Sequence, residues 1–130
     1  MRTLMVVVAG TMGLALSNAD AEGQPKFFEA AKAECARLHP QVYTDQKSCI
    51  EDYTKVHQWA ERAQLLTTDG QLDRVAIQHR SQAKDSKAII LGQCIEKWWS
   101  DTAPGRWPMT EYCVRTEQEA YEAIYGKLFK

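Results

Sequence analysis

The chain has 130 residues, 45% hydrophobic and 25% charged, with 16 Lys and Arg against 17 Asp and Glu. That length suits one small domain, and the composition excludes a disordered chain or a membrane bundle. A formal net charge of −1, without a basic surplus or an acidic tail, gives no reason to expect nucleic-acid binding.

The first segment reads as an export signal. Arg2 precedes an apolar run from Leu4 to Leu16, and Ala19-Asp20-Ala21 places small residues where a signal peptidase cuts. The run is shorter than the roughly 20 residues a membrane-spanning helix requires. Residues 1–21 are therefore expected to be a secretory signal and 22–130 a single helical domain, periplasmic or secreted, with no stable membrane anchor. No cysteine lies near the expected cut to carry a lipid.

Export decides how Cys35, Cys49, Cys94 and Cys113 are read. In an oxidising compartment four cysteines favour disulfides over zinc or redox chemistry, and no Cys-x2-Cys pair occurs. Four cysteines allow three pairings. The local one, Cys35 with Cys49 and Cys94 with Cys113, follows from the helical pattern.

Phe28, Ala31, Cys35 and Leu38 recur at helical spacing, and His39-Pro40 stops the helix, giving a first helix over 26–38. Asp45 is the expected N-cap of a second helix over 46–66, with Cys49, Tyr53, Val56, Ala60, Ala63 and Leu66 on its apolar side. Thr67-Thr68-Asp69-Gly70 signals a turn. A third helix opens at Gln71. Its apolar stripe fades over the polar run from Gln78 to Ser86 and returns with Ile90, Leu91, Cys94, Ile95 and Trp98. Ser86 would suit as the cap of a new helix, but no Gly or Pro interrupts the run, so one helix over 71–99 is expected. Asp101 to Pro108 reads as a loop, and Thr110 as the cap of a fourth helix over 111–128.

No long strand alternation occurs. The expected fold is all-α: four helices as two matching antiparallel hairpins, each stapled by one disulfide, packed into a small bundle.

The most pointed feature is aromatic. Trp98, Trp99, Trp107, Met109 and Tyr112 bracket the second disulfide. Trp98 and Trp107 folded over that bridge would plug the end of the bundle. Adjacent Trp98 and Trp99 cannot share a helix face, which turns one of them outward. Trp98, Trp99, Trp107 and Tyr112 are the candidate contact residues for an unknown protein partner or a small apolar ligand.

Other chemistry is poorly supported. His39 needs no role beyond its helix end. His57 and His79 flank the Asp69-Gly70 turn, and with Glu61 suggest a surface zinc or copper site only weakly, because no His-x3-His pair occurs. No nucleophile elbow or Gly-rich phosphate loop is present, so no catalytic residue, resident metal or cofactor is expected.

The stretch Cys94-x3-Trp98…Asp101…Met109-x2-Tyr112-Cys113…Gln118 resembles a pattern in short exported proteins of unknown function from Gram-negative bacteria. It spans only the second hairpin, the loop around Ala103–Pro108 is longer here, and the resemblance implies no activity. Insect odorant-binding proteins are likewise small, exported, helical and disulfide-bonded, but the gap between Cys35 and Cys49 does not match their cysteine pattern. The sequence thus points to a non-enzymatic binding module, with a carrier of small apolar ligands as the alternative.

Overall fold

The computed structural model describes residues 27–98 and 106–129, which form five helices: α1 (Phe28–Leu38), α2 (Tyr43–Arg62), α3 (Arg74–Gln82), α4 (Ser86–Trp98) and α5 (Trp107–Tyr125). The proposed signal over 1–21 lies outside the described residues. None of the described helices is long and apolar enough to cross a membrane.

Both expected disulfides form. Cys35 joins α1 to α2 with 5.7 Å between Cα atoms, and Cys94 joins α4 to α5 with 5.6 Å. Helix α1 packs on α2, α2 on α5, α5 on α4, and α4 on α3. Tyr53 of α2 meets Trp107 at the start of α5, and Trp59 meets Gln118 further along both helices. Helices α2 and α5 therefore run side by side in the same direction. Val56, Leu65 and Leu91 lie fully inside, and Leu128 folds back after the end of α5 to join them.

The expected count of four helices is wrong, and the place of the error is specific. The single helix expected over 71–99 is two helices, α3 and α4, separated at Ala83–Asp85. Lys84 takes a left-handed φ of 69°, its N–H bonds the Ser81 carbonyl, and the Asp85 N–H bonds the Arg80 carbonyl. That is a Schellman stop, and α2 ends in the same way with Gln64 at φ 62°. Asp85 then starts α4, its Oδ1 accepting the Lys87 N–H at 3.0 Å. With α3 lacking a counterpart in the first half, the two halves do not match helix for helix.

Several boundaries also move. Helix α2 begins at Tyr43, so Asp45 sits in its first turn and does not cap it. Instead the Gln46 side chain donates to the His39 carbonyl at 2.8 Å, closing the α1–α2 connection. Helix α3 begins after Asp73, whose carboxylate accepts the Ala76 N–H at 3.0 Å. Between α2 and α3, Leu66 and Leu72 form an isolated antiparallel bridge around a turn at Gly70, where φ is 83°. Glycine suits that position because L side chains rarely adopt such a φ.

Trp107 and Pro108, expected in a loop, form the first turn of α5, where proline lacks only an N–H that would have no helical partner. Thr110 is not a cap. It is fully buried inside α5, and its hydroxyl donates to the Arg106 carbonyl at 2.9 Å.

Candidate functional site

Helix α2 presents Tyr53 and His57 one turn apart on its buried face. Their rings stack with centroids 3.9 Å apart and planes within 6°. Phe27 closes on His57 at 5.5 Å from one side. Trp107, brought in by the first turn of α5, meets Tyr53 edge-on at 4.8 Å and His57 at 5.3 Å. Four aromatic rings from three distant parts of the sequence thus form one nest.

Above the nest opens a cleft of about 510 Å³. Tyr53, His57 and Trp107 make its floor. Ala30, Glu34 and Arg37 of α1 form one wall, and Leu72 with Arg74 the other. Glu34 and Arg37 are paired at 2.9 Å, so their charges largely offset one another. A larger groove of about 810 Å³ runs between α3 and α4, edged by Gln78, Gln82 and Gln93. Neither of the buried side-chain polar atoms that lack a partner among the described residues, Thr54 Oγ1 and Trp107 Nε1, belongs to a residue lining that groove.

The cleft is different. Trp107 is 4% exposed, and its Nε1–H has no acceptor among the described residues. The face of Tyr53 is at best a weak acceptor and does not replace an oxygen or nitrogen lone pair. His57 is 2% exposed, and its Nδ1 lies 2.9 Å from the Tyr53 carbonyl. A carbonyl only accepts, so Nδ1 carries the proton, and the neutral ring keeps its lone pair on Nε2. Burial disfavours the imidazolium and pushes the His57 pKa down to about 4, against smaller opposing effects of the Tyr53 carbonyl and the Glu34 charge. Burial, reinforced by Glu34, also raises the Tyr53 phenol.

Three of the four candidate contact residues lie among the described residues, in different surroundings. Trp107 is in the floor of the cleft. Trp98 is half-buried at the end of α4, with the Lys97 ammonium 5.4 Å from its ring. Tyr112 is 54% exposed on α5, beside Arg115. Trp99 lies outside the described residues. Among the described residues, no ring contact links Trp98, Trp107 and Tyr112.

His57 and His79 are likewise separated in environment, one buried and the other exposed. Among the described residues, no group of three or more His, Cys, Asp and Glu could hold a metal ion.

Sequence reasoning missed the partnership of Tyr53, His57 and Trp107. One signal was available: His57 is four residues after Tyr53, on the face already assigned to Cys49, Val56 and Ala60.

The class defined by these features is a small all-helical domain with two disulfides and an aromatic-floored cleft. In comparisons with known proteins, no family model matches the chain, and no curated protein or solved structure does.

Proposed function

We propose that the protein is an exported, non-enzymatic binding module whose ligand occupies the cleft over Tyr53, His57 and Trp107. One observation carries this reading: Trp107 lines the cleft, and its buried indole N–H has no acceptor among the described residues. A buried donor left unpaired costs free energy that a bound acceptor recovers. Pockets that hold small molecules combine apolar walls with a few placed polar groups, and the volume here falls in their usual range. The expected export signal and the two disulfides support a location outside the cytoplasm. Native mass spectrometry of protein purified from its own compartment tests the proposal. A retained small molecule that is lost in Trp107→Phe supports it, and retention unchanged in that variant rejects the cleft.

A second reading is supported by Tyr112 and Met109, 54% and 37% exposed on α5. With Trp98 and Trp99 from the other side of the connection, they would form a contact patch for a protein partner. There, Trp99→Ala should weaken partner capture with thermal stability nearly unchanged.

A further inference from the structure

The residues of the cleft floor carry two polar groups of opposite kind. Trp107 Nε1–H is a donor without an acceptor, on a side chain 4% exposed. His57 Nε2 is an acceptor, because Nδ1 is committed to the Tyr53 carbonyl and the side chain is 2% exposed. The two ring centroids lie 5.3 Å apart. Around them the surfaces are ring faces and edges: Tyr53 stacked on His57, and Trp107 edge-on to Tyr53. In the α1 wall Glu34 and Arg37 pair with each other, and Arg74 in the opposite wall is engaged in an interaction of its own.

From this juxtaposition we infer that the cleft selects a flat, uncharged small molecule with a hydroxyl or lactam edge, which accepts from Trp107 and donates to His57. The inference rests on the cleft being the binding site and adds the chemical class of its occupant. A ring matches the aromatic floor, because offset and edge-on ring pairs add to the gain from burial alone. A hydroxyl or lactam edge matches the donor and the acceptor at once. A purely apolar molecule would leave the indole N–H unpaired and make no use of the His57 lone pair, and a carboxylate would offer His57 no donor. Sites built to bond a polar group discriminate against analogues that lack it, because their own buried groups are then left without partners.

Phenol, anisole and toluene form a matched probe series: phenol both donates and accepts, anisole only accepts, and toluene does neither. Calorimetric titration of the oxidised protein should rank them in that order, phenol binding about tenfold tighter than toluene. Phenol should also move the indole N–H resonance that Trp107→Phe deletes from the nitrogen–proton correlation spectrum. In Trp107→Phe, anisole should lose its advantage over toluene. In His57→Phe, phenol should lose its advantage over anisole, and this variant carries the test alone if Trp107→Phe does not fold. Equal affinities for the three probes, with the indole resonance still moving, would overturn the ligand class while leaving the cleft a binding site. No binding by any probe and a fixed indole resonance would overturn the cleft as well.

Discussion

Arg80 and Asp85 are joined across the break between α3 and α4, with Nε at 2.8 Å and Nη2 at 2.6 Å from one carboxylate oxygen. The same guanidinium donates to the two carbonyls just past the end of α2, to Ala63 through Nη2 at 2.9 Å and to Gln64 through Nη1 at 2.8 Å. One side chain thus ends α2, holds α3 beside it and fixes the residue that starts α4. Burial alone would raise the Asp85 carboxyl, but the bonds and charge of Arg80 with the Lys87 N–H hold it below the ordinary value.

Replacing Arg80 with Met should therefore destabilise the protein by about 2 kcal/mol, since one carboxylate and two carbonyls lose partners together. Arg80→Lys should recover less than half of that, because an ammonium cannot reproduce the planar fork. Urea titrations of the three proteins check this. A change within ~0.5 kcal/mol for Arg80→Met would show that water replaces the guanidinium.

Lys84 and Gln64 hold left-handed backbone at the two Schellman stops, a conformation that favours glycine. Lys84→Gly and Gln64→Gly should each stabilise by ~0.5 to 1 kcal/mol, relief of backbone strain outweighing the added freedom of the unfolded chain. Gly70→Ala, at φ 83°, should act in the opposite direction. Chemical denaturation midpoints at constant slope would measure all three.

His57 makes stability depend on pH. Its pKa is 6.5 when exposed and about 4 in the fold, so between those values the unfolded chain binds more protons and stability rises with pH. The native state should lose about 2 kcal/mol from pH 7 to pH 5, approaching a full loss of about 3 kcal/mol below pH 4. In His57→Phe, which keeps a ring in the nest, the decline between pH 7 and pH 5 should largely disappear. Denaturation at pH 5, 6 and 7 in both proteins decides it, and parallel curves would reject His57 as the cause.

Leu91 is fully buried on α4, the helix that packs on both α3 and α5. Leu91→Ala should cost about 3 kcal/mol, and the paired substitution Cys94→Ala with Cys113→Ala a similar amount, by different routes. The first leaves a cavity and the second frees the unfolded chain. Calorimetry of each variant would test the sizes, and a loss under ~1 kcal/mol from the double cysteine variant would show that packing alone holds α4 to α5.

Much of the fold was legible because its signals are local. Cys35, Ala31 and Leu38 share one face, as do Cys49, Tyr53 and Val56, and helices with such faces bring the right cysteines together. The break at Lys84 was hidden because the usual marker of a Schellman stop is glycine, and here the left-handed residue is lysine. Its anchors, the Ala63 and Gln64 carbonyls, lie far from Arg80 in the chain, and no periodicity reports such a contact. The nest failed to appear for a similar reason. Tyr53 and His57 reveal their shared face by spacing, but Trp107 joins them only through the parallel packing of α2 and α5. Thr110 misled because a threonine before an amphipathic run reads as a cap whether or not its hydroxyl is already satisfied within a helix.

The placement of the two disulfides also bears on how the chain reaches its oxidised form. Each bridge closes 14 or 19 residues of chain between helices that pack on one another. Any crossed pairing would have to close at least one much longer loop, at a greater entropic cost. The correct partners therefore meet most often from the outset, and each bridge can form within its own pair of helices before α2 and α5 come together. Air oxidation of the reduced, unfolded chain should yield mainly the native isomer, with little call on a disulfide-shuffling catalyst.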